Sequence, residues 1–245
     1  MSRNVWARVL AAVVVVIAAG HPGAQESAGC GPGGEAALAR AASAVAVSDG
    51  DAAAAILREA YGAAPTCAPL GTASWAWHGW LGAARAHAAG GTEESLSEVR
   101  AALAVLEPAD SARSADAAYA AAILHAAAAA AQQEREEMRV WLEHAADLAR
   151  RLAPGMHPWP MAAPVAEGEL WLMLHDPAMA DAAFQRALAE APTPAALRGL
   201  GRARAGGDNM KGGCEPYRKA LALAEAESPD GPLAVEARAF LRLCR

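Results

Sequence analysis

Gly168, Ala180, Phe184, Ala187 and Pro192 stand 12, 4, 3 and 5 residues apart, and Gly201, Gly213, Tyr217 and Ala220 repeat the leading offsets 33 residues later. A period of this length marks a chain that stacks copies of one supersecondary unit, each too small to bury its apolar face alone. Small residues on the grid remove the side chains that would hold two antiparallel helices apart. The remaining composition agrees. Alanine fills 71 of the 245 positions, it has the best intrinsic helix propensity, and β-branched residues are scarce beyond the N-terminus. The expected fold class is all-α.

The grid of Gly168 to Pro192 and of Gly201 to Ala220 resembles the tetratricopeptide repeat (TPR) family. The resemblance is good over 161–229 and fair over 73–108. There Leu81-Gly82 fits the Leu-Gly pair of a first helix, but Glu94 stands where a small residue belongs. Ala41, Ala53, Leu57, Ala60 and Pro65 form a looser version, and 111–154 fits poorly. The resemblance implies a right-handed α-solenoid of about five antiparallel helical hairpins plus a C-terminal capping helix, over 35–245. It also implies a binding scaffold in which the first helices of successive hairpins line a concave groove. With Gly201 as the repeat's small position, Arg198 and Arg202 take groove-facing places where a family subset carries basic residues that clamp a partner's terminal carboxylate. Val165 and Glu169 are their equivalents one hairpin earlier, and Gly79 and Ala83 further upstream. The Asn and Lys of a full clamp are absent. The alternative for the two arginines is solvent exposure or pairing with nearby Glu.

Pro65, Pro108, Pro154, Pro192 and Pro229 each follow an apolar helical segment, which a proline cannot continue. Helices are expected near 35–47, 51–63, 73–89, 93–106, 114–132, 136–152, 161–174, 178–190, 195–205, 211–226 and 232–243. Thr72, Thr92, Asp176-Pro177 and Thr193-Pro194 read as helix starts. Ser111 to Leu152 has no Gly or Pro, so one long helix is possible. A turn near Gln133 is preferred, because 42 helical residues would extend roughly 60 Å, far beyond the neighbours.

Residues 1–24 read as a secretory signal peptide: Arg3 and Arg8, an apolar run from Val9 to Ala19, then Gly20, Gly23 and Ala24. Eleven helical residues rise about 16 Å, half a bilayer, so a permanent span is not expected. A flexible segment is expected over 25–34. Ser27-Ala28-Gly29-Cys30 resembles a lipoprotein cleavage box, but Ser27 replaces the usual aliphatic residue and Cys30 lies far from the apolar run. Loss of the leader takes the formal charge from −6 to −8, with no basic footprint for nucleic acid.

Four cysteines in an exported chain allow three pairings. The helix map selects one. Cys30 precedes the first expected helix and Cys67 follows the second; Cys214 opens one near the C-terminus and Cys244 closes the last. The start of one helix of an antiparallel pair neighbours the end of the next, so Cys30–Cys67 and Cys214–Cys244 would staple both ends of the array. No CxxC spacing supports a metal or reactive-thiol reading.

Trp75, Trp77 and Trp80 crowd one helix, and Trp77 and Trp80 share a face. They either fill the hairpin core, the preferred use, or anchor a partner in the groove. Met156-His157-Pro158-Trp159-Pro160-Met161 carries soft copper-type ligands, but a stiff loop between hairpins explains its prolines equally well. No metal or other cofactor is expected. HExxH, GxSxG, P-loop and strand-borne GxGxxG motifs are all missing. The leading reading is a non-enzymatic, exported scaffold for a protein or peptide, touching it through some of Trp77, Trp80, Glu169, Arg198 and Arg202. A helical small-ligand or carbohydrate-binding protein, with a pocket lined by the tryptophans, is the runner-up, and a helical glycan-active enzyme the third.

Overall fold

The computed structural model describes residues 30–244 except 48, 108–113, 153–156 and 207–208. The leader, the Ser27 to Gly29 box, Pro108 and Pro154 lie outside the described residues. Among those described there are eleven α-helices and no strand: α1 Gly31–Ala46, α2 Gly50–Ala63, α3 Ala68–Ala88, α4 Ser97–Leu106, α5 Ala115–Ala131, α6 Arg135–Ala149, α7 Ala163–Met173, α8 Pro177–Glu190, α9 Pro194–Ala205, α10 Cys214–Glu227 and α11 Pro232–Leu241. Short 3-10 turns, Met210–Gly213 and Arg242–Cys244, precede α10 and follow α11.

Most boundaries follow local chemistry. The carboxylates of Asp49 and Asp176 accept from the N–H groups of Ala52 and Met179, and the Thr193 hydroxyl accepts from Ala196. Each satisfies an otherwise orphaned amide of a first turn. Gln133, at φ 66°, supplies the reversal between α5 and α6, so 114–152 is a hairpin as expected. Three boundaries differ. Helix α1 starts at Gly31, inside the segment expected to be flexible, and Gly34 is buried against Leu70. Helix α3 starts five residues early because Cys67, not Thr72, is its cap, the sulfur accepting from Leu70 N–H at 3.4 Å. Helix α4 starts at Ser97 because Thr92 closes a local turn with Ser95 instead of capping a helix.

Consecutive helices pack against one another, and α1, α3, α5, α7, α9 and α11 also touch in turn. The grid is what makes this close. The Phe184 ring of α8 sits against Gly168 of α7, where a Cβ would stand 2.6 Å from it, and against Gly199 of α9, where the gap would be 2.3 Å. Tyr217 of α10 takes the corresponding place on Gly201, where a Cβ would lie 2.6 Å away. An aromatic ring thus fills a hole cut by glycine at two places 33 residues apart.

Glycine opens the same kind of room in the middle of the molecule. A Cβ at Gly79 of α3 would stand 2.5 Å from the Leu124 side chain of α5 and 2.9 Å from Ala102 of α4, so Gly79 makes room for both neighbours. Helix α5 is buried nearly all round, with Tyr119, Ile123 and Leu124 inaccessible, as a helix apolar on every side must be. The linker 157–162 folds over it, the Tyr119 hydroxyl donating to Met161 O at 2.6 Å. One apolar core runs from Cys30 to Ala203, and a small separate one holds Leu221, Ala224, Leu233 and Ala234. Helix α1 also touches α9, far away in sequence. Cys30 is bonded to Cys67 and Cys214 to Cys244, the pairing expected from the helix map.

Candidate functional site

Helix α9 touches both α7 and the last helix, α11, and the three bring charged side chains together. Arg202 Nη1 donates to Glu169 Oε2 at 2.8 Å, and Arg198 Nη1 lies 4.0 Å from the other Glu169 oxygen. Arg198 Nε then reaches both oxygens of Glu236, at 3.0 and 2.8 Å. The Tyr217 hydroxyl donates to Glu236 Oε1 at 2.8 Å. A chain of alternating charge therefore crosses three helices, half-buried throughout. Burial opposes the Arg198 charge, but Glu169 and Glu236 outweigh it and hold the guanidinium more firmly protonated than usual. Burial, helped by the Glu236 carboxylate, pushes the Tyr217 phenol well up, so its proton stays on the donor side of the bond.

Three of the five expected partner-contacting residues, Glu169, Arg198 and Arg202, are thus brought together. The two arginines are bonded to carboxylates rather than presented bare. Glu236 and Tyr217 escaped the sequence reading, although the repeat holds the signal for the first. From Glu169 to Arg202 is 33 residues, and one further period lands within a residue of Glu236.

Of the two uses weighed for the tryptophans, Trp77 takes the preferred one and fills the core, not the groove contact set beside it. Trp77 is 6 % exposed and belongs to the core, its indole N–H donating to Gly50 O at 3.0 Å and so tying the start of α2 to α3. Trp80 is half-buried and packs on the same core with one edge outward. The upstream groove positions are closed as well: Ala83 is buried and Gly79 is spent on the contact with α5. Val165 and Glu169 on α7 and Arg198 and Arg202 on α9 keep partial exposure.

His157 faces inward against the Trp159 ring. Its Nε2 is buried with no hydrogen-bond partner among the described residues, and burial pushes its pKa down to about 4. With Met161 buried too, the linker is a packed loop. No group of three or more His, Cys, Asp or Glu side chains placed to hold a metal occurs among the described residues. A shallow cleft of about 730 Å³ lies between α8 and α9, lined by Asp181, Gln185, Arg186 and Arg204 among others. It has no tryptophan in its wall, unlike the pocket expected of a carbohydrate binder. Among the described residues no helix is long and apolar enough to cross a membrane. Compared with protein-family models, curated proteins and solved structures, the chain matches none.

Proposed function

We propose that this chain is an exported, TPR-like helical-repeat scaffold that binds a protein or peptide through the face formed by α7, α9 and α11, without catalysing a reaction. The observation that carries the reading is the recurrence of one contact, ring into glycine, at Phe184 with Gly168 and at Tyr217 with Gly201. Stacked hairpins of this kind align their first helices, and an aligned row of helices offers an extended surface rather than a single enclosed site. The charged chain from Arg202 to Glu236 is the polar part of that surface, and the edge of Trp80 adds an apolar contact at a distance. Two disulfides support an oxidising compartment, and with it export.

Site-specific photo-crosslinking in the producing cell tests this. A crosslinker replacing Arg202 or Trp80 is expected to trap one discrete polypeptide, while one replacing the exposed Val140 on α6 traps none. Equal capture from both faces, or none from Arg202 and Trp80, overturns the reading.

A further inference from the structure

We infer that α11 is a releasable plug on this face, its Glu236 standing in for the carboxylate of a helical partner segment, and that the Cys214–Cys244 disulfide is the latch. The partner chemistry rests on the scaffold reading above; the latch does not. Three observations converge. First, Glu236 occupies Arg198 and Tyr217 in the way an external carboxylate would, accepting from Nε and from the phenol. With α11 gone, a half-buried guanidinium and a hydroxyl would be left without their principal acceptor, and such a pair recognises an anion strongly.

Second, α11 touches α9 but contributes no residue to the main apolar core. Its apolar contacts belong to the small core of Leu221, Ala224, Leu233 and Ala234, not to the core that runs from Cys30 to Ala203. Beyond them it has the stack of Phe240 on Tyr217, with ring centroids 4.1 Å apart, and a surface pair of Arg238 with Glu225. A ten-residue helix has little stability of its own, and a terminal repeat has one neighbour instead of two.

Third, the two disulfides differ in access. Cys67 is fully buried and Cys30 nearly so, whereas Cys244, in the last turn, is partly open to solvent. A dithiol oxidoreductase can therefore reach one latch and not the other. Its thiolate attacks Cys244 Sγ, the S–S bond breaks, and Cys214 leaves as a thiolate that takes a proton. The reductant's second thiol then displaces Cys244, leaving two protein thiols and one disulfide on the reductant. Phe240 can now part from Tyr217, and Glu236 from Arg198. The incoming segment that fits is a short amphipathic helix with one carboxylate on its apolar edge, the pattern of α11 itself.

The test uses the full chain titrated with dithiothreitol, with alkylation and mass spectrometry to count thiols. Cys214 and Cys244 are expected to react first, and the amides of 232–241 then to exchange at least tenfold faster while those of α8 stay unchanged. Binding is read with a labelled peptide of residues 229–243 on the chain carrying Cys214→Ser, Cys244→Ser and Glu236→Gln, which weakens the resident helix. The peptide is expected to bind at least tenfold more tightly there than to the oxidised wild type, and its own Glu236→Gln version at least tenfold more weakly. Unchanged protection of α11 after the latch opens, or equal binding of the Glu and Gln peptides, overturns the proposal. Chains crosslinked through Arg202 in the producing cell are expected to carry Cys214 and Cys244 as free thiols; a partner trapped through Arg202 with that disulfide intact would overturn the plug and leave the scaffold standing.

Discussion

At the scale of single residues, the contest at each glycine is between helix propensity and room. Replacing a helical glycine by alanine ordinarily stabilises by about 0.5–1 kcal/mol. At Gly62, near the end of α2, an added Cβ meets nothing within 4 Å, so Gly62→Ala is expected to show that gain. At Gly199 the same methyl would stand 2.3 Å from the Phe184 ring, and overpacking of this kind costs about 1–3 kcal/mol. Room therefore wins, and Gly199→Ala is expected to destabilise. Urea unfolding of Gly199→Ala, Phe184→Leu and the double variant checks the cause. If the ring is the obstacle, the double variant loses less than the two single losses together, because the smaller side chain admits the methyl. Strict additivity would mean that Phe184 is not what excludes a side chain at Gly199.

At the scale of elements, Asp176 shows how much one side chain does for a helix and its neighbour. Its Oδ1 accepts from Met179 N–H at 3.2 Å, capping α8, and its Oδ2 accepts from Arg135 Nη1 of α6 at 2.9 Å. The Met179 bond is the largest influence and lowers the carboxyl; burial opposes it, and Arg135 joins Met179 in holding the group below its ordinary value. Folding thus favours the ionised form. The contribution is complete above the normal aspartate range and disappears as pH falls through the depressed value. Asp176→Ala is accordingly expected to cost about 1 kcal/mol at neutral pH, and the gap between the two unfolding curves should close in acid; a gap that persists at low pH would refute the linkage. Such caps were legible because Asp-Pro and Thr-Pro are local signals. The start of α3 was not, since Cys67 becomes a cap only when its disulfide to Cys30 orients the sulfur. The reversal at Gln133 was legible from length alone, with no glycine to mark it. Trp77 could be read as core or groove, because what fixes its face is a carbonyl at Gly50, 27 residues away. Glu169, Arg198 and Arg202 were found through the repeat, but the main partner of Arg198 is Glu236, on a helix read only as a cap.

At the scale of the whole molecule, the two staples close loops of 37 and 30 residues, and loop entropy makes each worth roughly 4 kcal/mol. Equal loops do not imply equal consequences. The Cys30–Cys67 hairpin shares the main apolar core, and its α1 also touches α9, so the first pair is tied at both ends. Helix α11 has a separate small core and lies at the end of the row. Free energy lost in a body that unfolds as a unit moves the whole transition, whereas free energy lost in a weakly coupled end appears as local opening. Cys30→Ser with Cys67→Ser is therefore expected to lower the main calorimetric transition by roughly 10 °C, taking about 2–4 °C per kcal/mol for a chain of this size. Cys214→Ser with Cys244→Ser should leave that transition within a few degrees and instead accelerate hydrogen exchange across 214–241. The contrast discriminates between two architectures. In an open array, where each hairpin knows only its neighbours, both double variants fray their own ends and neither moves the main transition. In a body closed by the contact of α1 with α9, the first variant also loosens the amides of α9, across more than a hundred intervening residues, and the second does not.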